Sequence, residues 1–497
     1  MKSRLTATVL VLTMLGAAVP YANELEKEDV MTWPTNPPAH WTRYHLAHPD
    51  PGAGFFPGDP NPAFHYKGRY HLHYLYPDEG GLGMAHVSST DMVHWEWHPT
   101  ALTPARLGHA MLSGTGFFTR EGKPAIIYGD GQRLLIIYAL DDALDTWTEP
   151  EEIVVRDDDS NVREIAVWDP DCWLNGDTYY AVGGSMEKDL IKSKDLKTWQ
   201  YVGMLMHPHF PNDLGVTAND DVSCPNVFKI GNKWMLLCIS HALGCRYFLG
   251  DFMNEQYLPD QHALMNWQNV NIGDRGLGYY FAPESLLAPD GRRIMWAWLF
   301  PEETAPNQQG LQSLPRELTL GDDGLLRIRP LRELASLRYD QQTESDFVTE
   351  YLKPRKLPGM SGDAVEFEVV FERLDKACKL NTTGALHVPR AYGVDVLCDE
   401  NGENGVRIAV NPSQKTLSIA GIVAPFPSFI DKDVTLRVFI DNTVIEVFAD
   451  DRQAMAYTHR RTHPHANHQI FTDQGNIKIK TVTAWKMKAP WASAVVQ

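Results

Sequence analysis

Apolar and polar positions alternate at period two along most of this chain, and proline and glycine turns interrupt the alternation often enough to predict strands rather than helices. The clearest case is residues 58–76, where Gly-Asp-Pro-Asn-Pro-Ala runs into Phe-His-Tyr-Lys-Gly-Arg-Tyr-His-Leu-His-Tyr-Leu-Tyr. Pro60 and Pro62 push Asp59 and Asn61 into extended backbone and withhold two donors, so this is a rigid turn. Lys67-Gly68 then separates two aromatic and apolar runs, a hairpin signal. An aspartate at that point either caps the turn locally or is held ready for chemistry, and one copy alone does not separate the two.

Repetition does more. Hairpin turns recur at Lys67-Gly68, Glu121-Gly122-Lys123, Asn175-Gly176-Asp177, Gly231-Asn232-Lys233 and Asp290-Gly291-Arg292. The period is roughly 55 residues, close to that of propeller blades. A second element, residues 88–95 (Ser-Ser-Thr-Asp-Met-Val-His-Trp), returns as 193–199 (Ser-Lys-Asp-Leu-Lys-Thr-Trp) and, shortened, as Leu144-Asp145-Thr146-Trp147. The expected architecture is all-β: five four-stranded blades whose inner strands begin around a central funnel. Residues 330–337 read as a helical linker. Short alternating strands then follow at 364–371, 385–397, 405–410, 416–419, 435–440 and 443–448, the pattern of a β-sandwich. The expected boundaries are a propeller over 23–335 and a sandwich over 336–497.

Acidic residues open several inner strands. Asp59 precedes the first and Asp169, in Trp168-Asp169-Pro170, the third. Asp220 and Asp221 stand before Ser223-Cys224-Pro225 in the fourth, and Glu284 follows Phe281-Ala282-Pro283 in the fifth. Strand alternation would put Asp221 and Ser223 on one face. Small residues 113–116 (Ser-Gly-Thr-Gly) in the second blade allow close approach of either a ligand or a neighbouring blade. Carboxylates meeting at one funnel suggest glycoside hydrolysis, in which one carboxylate attacks or guides water and an acid of raised pKa protonates the leaving oxygen. No nucleophile elbow, phosphate loop, His-Glu-x-x-His or dinucleotide fingerprint competes with that reading.

A net charge of −18 over 497 residues argues against nucleic acid or an anionic membrane as partner and leaves neutral carbohydrate open. The basic start Met1-Lys2-Ser3-Arg4, the uncharged apolar run 5–19 and small residues around Ala17, Ala18 and Ala22 predict a signal peptide over 1–22 and a secreted or periplasmic protein. Six cysteines do not make a disulfide scaffold. Cys172, Cys224 and Cys238 are expected as small buried residues, and Cys378 and Cys398 as a candidate pair. Cys238, His241 and Cys245 match no common zinc spacing, and His459, His463, His465 and His468 read as a solvated loop. The acids come one per blade rather than clustered with histidines, so neither a metal nor another cofactor is expected.

At these motifs the chain resembles glycoside hydrolase family 32, the invertases, inulinases and levanases. The resemblance implies a five-bladed propeller joined to a sandwich and retaining hydrolysis of β-fructofuranosides. It makes Asp59, in Asp59-Pro60-Asn61-Pro62, the nucleophile, and Asp169, before Pro170, the transition-state stabiliser. Asn61, His86, Ser113, Trp168, Asp220 and Glu284 become candidate sugar-binding positions. The segments Ala85-His86-Val87-Ser88, Ser113-Gly114-Thr115, Ser313-Leu314-Pro315-Arg316-Glu317-Leu318 and Val444-Ile445-Glu446-Val447-Phe448 support the match. Departures are equally specific. The glutamate of the family's Glu-Cys-Pro is Ser223, the arginine before the stabilising aspartate is Trp168, and Leu75, Met84 and Tyr279 replace other pocket residues. Two readings follow. One is an active glycosidase with Asp221 as proton donor, Asp220 and Glu284 being the next choices; the other is a carbohydrate-binding protein that lost catalysis with that glutamate.

Overall fold

The computed structural model describes residues 33–49 apart from 35 and 40, then 57–99, 101–267, 279–300, 310–356, 358–377, 388–427 and 431–491. The segment 1–22, expected as a signal peptide, lies outside these. Among the described residues, five sheets of four or five strands occupy 63–330. Their first strands are Ala63–Tyr66, Gly114–Phe118, Trp168–Asn175, Ser223–Ile230 and Tyr279–Leu287. Each touches the next and the fifth touches the first, closing a ring. Two sheets exceed four strands: Val155–Arg156 adds in parallel to the outer edge of the third, and Leu311–Gln312 pairs within the fifth.

Local chemistry explains the repeats. The first hairpin turns on Lys67 and Gly68, with φ of 49° and 81° and Tyr66 paired to Arg69, the two-residue geometry that matches strand twist. In the Ser-x-Asp turns, the Ser89 and Ser193 hydroxyls accept two following amides each, and Asp91 and Asp195 accept two more. Met92, Leu144 and Leu196 sit at the same left-handed φ, about 60°. The small residues of the second inner strand prove to be a packing device, because a Cβ on Gly116 would lie 2.5 Å from the Phe64 ring of the first.

A 3-10 helix, Arg332–Leu337, links to two six-stranded sheets packed face to face. Strands Ala364–Phe371 and Thr416–Ile419 match the expected ranges, and the core between the sheets is almost wholly aliphatic and aromatic. His468 departs from the expected solvated loop: it is buried in strand Asn467–Asp473, its ring bonded to Leu397 N and Gly362 O. Cys398 is a buried free thiol, and Cys378, its candidate partner, lies outside the described residues. No helix among the described residues is long and apolar enough to cross a membrane.

The sandwich shares one continuous apolar core with the first, fourth and fifth propeller sheets. A buried polar network crosses that junction. Glu446 of the sandwich accepts from Arg316 (3.0 Å), Leu314 N (2.7 Å) and His45 Nε2 (3.4 Å). Asp441 takes the other His45 nitrogen at 2.8 Å and the amides of Arg43, Tyr44 and His45. The lead-in, the fifth sheet and the sandwich are therefore held by two carboxylates. Glu446→Ala leaves Arg316 buried without its counter-charge and takes one of two carboxylates from His45, and should cost about 3–5 kcal/mol, read from the denaturation midpoint of the full chain; a loss under 1 kcal/mol refutes the role. Burial alone would lower the His45 pKa, but the two carboxylates raise it to about 9. Its contribution to stability is thus complete below its ordinary value of 6.5 and disappears as pH rises through about 9, so His45→Gln should flatten the stability profile across that window.

Candidate active site

The inner strands of the third, fourth and fifth sheets each carry a proline near the start: Pro170, Pro225 and Pro283. At each, three residues span what two span on the partner strand, between Trp168 and Asp171, Ser223 and Asn226, and Phe281 and Glu284. Proline cannot donate to the ladder, so a bulge is the local solution. The residue before each proline has a positive φ, 41° at Asp169, 45° at Cys224 and 43° at Ala282. This conformation is strained for residues with a Cβ.

These bulges bring Asp169 and Cys224 to Asp59. Asp59 is set by its own backbone, whose carbonyl accepts Leu75 N at 3.0 Å, while Gly58 O accepts Gln312 at 2.7 Å. The Ser113 hydroxyl donates to Asp59 Oδ2. Cys224 Sγ lies 3.8 Å from that oxygen and 3.5 Å from Asp169 Oδ2, which also faces Cys224 N at 3.4 Å. One thiol thus separates two carboxylates, and burial with the nearby negative charge keeps it protonated. Burial, then the charge of Asp169, lifts Asp59 to about 7 against the hydrogen bonds from Ser113 and Cys224. Burial also raises Asp169. Trp168, half exposed, flanks the pair, and Asn61 is buried with its Oδ1 unpartnered among the described residues.

Asp221, the expected proton donor, is engaged within its own hairpin. Burial alone would raise its pKa, but the His241 ring (2.6 Å), His241 N (2.8 Å) and the Ser223 hydroxyl (3.0 Å) bring it down to about 2. Both of its oxygens are engaged as acceptors, Oδ1 by Ser223 and Oδ2 by His241. Ser223 and Asp221 do meet, as the shared face predicted. Asp220 accepts from Thr217 at 2.8 Å and lies 3.9 Å from Arg246, so it caps its turn.

Glu284, expected as a sugar-binding position, lies on the inner strand of the fifth sheet. It is 1% exposed and bonded to Ala63 N and Asn226, both at 3.2 Å, beside Asp171. These groups border a cavity of about 410 Å³ that runs toward the hairpin ends and includes none of Asp59, Asp169 and Asp221. His86, another expected sugar-binding position, lies in the third strand of the first sheet, stacked on His73 at 4.3 Å and His98 at 4.1 Å. The Nδ1 atoms of His86 and His98 both bond one oxygen of Asp145, at 3.2 and 2.9 Å. These three are the one potential metal-ligand group among the described residues. Both nitrogens converge on that Asp145 oxygen, and the two hydrogen bonds account for the cluster. The residues that sequence reasoning missed are Cys224, expected only as filler, and His241, weighed only for zinc. The signal for His241 was its place in the hairpin, where continuing the Ser223–Ile239 register sets it opposite Asp221.

A funnel mouth that gathers carboxylates from separate sheets of a propeller, backed by a sandwich, defines a glycosidase. The chain belongs to the glycosyl hydrolases of family 32: residues 48–330 match the family's N-terminal domain and 333–486 its C-terminal domain. It is 26% identical over 471 residues to a sucrose-6-phosphate hydrolase of Zymomonas mobilis, covering 84% of this chain and 85% of that one. It is 25% identical to a levanase of Bacillus subtilis, covering 88% and 69%. Among solved structures it resembles fructan 1-exohydrolase IIa of Cichorium intybus, with a TM-score of 0.70 at 19% identity, over 90% of this chain and 98% of that one.

The site's electrostatics are testable by carboxyl-carbon NMR. Asp59 should titrate near 7, higher in Ser113→Ala, which removes a donor to the carboxylate, and lower in Asp169→Asn, which removes the neighbouring charge. An Asp59 titrating near 4 in the wild type would contradict the arrangement.

Proposed function

We propose that this chain hydrolyses β-fructofuranosyl linkages of sucrose or fructans with retention of configuration, outside the cytoplasm. The observation that carries the reading is the pair Asp59 and Asp169, held on either side of Cys224 at the mouth of the inner strands. Family membership and the relatives named for sucrose-6-phosphate and levan support the fructosyl part. The apolar run at 5–19 supports export.

In this reading Asp59, as carboxylate, attacks the anomeric carbon and forms a fructosyl ester while the glycosidic C–O bond breaks and its oxygen takes a proton. Water then attacks the same carbon, the ester bond breaks and Asp59 is regenerated. Asp169 stabilises the positive charge that develops on the ring and receives ring hydroxyls. Asn61 Oδ1 offers an acceptor to a hydroxyl, and exposed Trp168, standing where relatives carry an arginine, offers an apolar face in place of a charge.

Fructose release from sucrose, 1-kestose, inulin and levan tests the activity. Asp59→Asn should lower turnover by about 10⁴-fold or more with an unchanged circular dichroism spectrum, and transfer to methanol should yield only the β-fructoside. Near-normal turnover in Asp59→Asn, or inverted product, would refute the mechanism.

A further inference from the structure

The retaining mechanism requires a proton donor to the leaving oxygen, and the position that would supply it carries Ser223, whose hydroxyl is engaged with Asp221 at 3.0 Å. Three other carboxyls are poorly suited to the task. Asp221 is held ionised, Asp220 caps a turn and Glu284 is sealed among the inner strands.

We propose that His241 is the acid and base of this enzyme, with Asp221 as the residue that orients it. The inference rests on the glycosidase reading above and assigns the role which that reading leaves open. His241 follows the second strand of the fourth sheet, Lys233–Ser240. Ser223 pairs with Ile239, so the antiparallel register carries Val222 to Ser240 and Asp221 to His241. The histidine therefore stands at the same end of the same hairpin as the vacated position. Asp221 Oδ2 receives both the backbone amide and ring Nδ1, at 2.8 and 2.6 Å, and this double contact fixes the ring. Nδ1 is thereby committed to Asp221, which leaves Nε2 as the exchangeable site. The side chain is 66% exposed and lies edge-on to Phe281 of the fifth sheet, with ring centroids 6.1 Å apart.

The charged groups acting on the ring come from three elements: Asp221 on its own sheet, Asp169 on the third and Asp59 ahead of the first. All three are acidic. The hydrogen bond to Asp221 is the largest influence, and together they raise the imidazole pKa above 6.5. The imidazolium is the form that can donate, and its charge favours the ionised form of Asp59. This pairing is the usual acid and carboxylate division of labour with the acid changed from carboxyl to imidazolium.

The proton balance closes. In the first step Nε2–H goes to the glycosidic oxygen as its bond to the anomeric carbon breaks and Asp59 forms the ester, leaving neutral His241. In the second, Nε2 takes a proton from water as the water oxygen bonds to the anomeric carbon and the ester breaks. Imidazolium and carboxylate are both restored.

The test compares two leaving groups in one variant. The substrates are sucrose or 1-kestose, whichever the wild type cleaves, and 4-nitrophenyl β-fructofuranoside, whose phenolate leaves without protonation. His241→Ala should lose about 10²- to 10⁴-fold in kcat/KM on the natural sugar and far less on the aryl fructoside, with kcat on the latter partly restored by azide. The basic limb of the kcat/KM profile should vanish in His241→Ala and move to lower pH in Asp221→Asn. Imidazole NMR provides a check independent of activity: His241 should titrate above 6.5 and fall in Asp221→Asn. Equal losses on both substrates, or an unchanged basic limb, overturn the assignment while leaving the glycosidase reading in place. A wild type that cleaves none of these fructosides overturns both.

Discussion

Everything at the funnel depends on a ring of buried side-chain hydrogen bonds that ties the five inner strands to one another. Thr115 of the second strand donates to Asp171 of the third at 2.8 Å, and Asp171 accepts Val227 N of the fourth at 2.7 Å. Asn226 of the fourth strand joins Glu284 and Ser285 of the fifth, and Glu284 accepts Ala63 N of the first. Between the first and second strands the link is apolar, the Phe64 ring against Gly116. Propeller blades have no shared backbone ladder, so contacts of this kind must set the angles between sheets. Burial lifts Asp171 to about 6 and also raises Glu284. Two buried carboxyls are an expensive way to close a ring, and their hydrogen bonds offset the cost only while the strands stay together.

That ring makes the bulges useful. A bulge shifts the face on which a side chain lies and so re-aims it. Three bulges of equal size at equivalent points, all beside proline, turn three strand starts toward the same axis. The positive φ at Asp169 and Cys224 stores strain exactly where the carboxylates converge, a trade tolerated because the surrounding strands over-determine the backbone. The sandwich acts at second hand: through Glu446 it grips Arg316 and Leu314, and the neighbouring Gln312 in turn holds Gly58, the residue before Asp59.

The departures from the family pattern form a coherent electrostatic picture. With serine in the glutamate position and tryptophan in the arginine position, the site loses one acid and one fixed cation close to the two aspartates. The remaining mutual repulsion of Asp59 and Asp169 would be relieved by any nearby positive charge, and His241 is the group whose charge acts on both. Its link to Asp221 sustains that charge. Cys224 contributes in another way, as a weak donor narrow enough to sit between two carboxylates without neutralising either.

The sequence by itself determined the all-β architecture, the hairpins, the second repeated element, the sandwich-type strands that follow the propeller, and Asp59, Asp169 and Ser113 as candidates for one site. Each of these is written in local chemistry: a proline that removes a donor, a glycine at a left-handed turn, an alternation of period two. Tertiary structure decided the rest. Glu284 and His86 carry the right chemistry at plausible positions, yet burial and partners on other strands commit one to the ring and the other to a histidine stack. Asp221 and His241 are twenty residues apart; the sequence offered Asp221 as a proton donor and His241 only beside two cysteines, and their pairing exists only in the fold. What an ionisable side chain does depends on its neighbours across sheets and on the water it has lost, and both are properties of the folded chain rather than of any stretch of it.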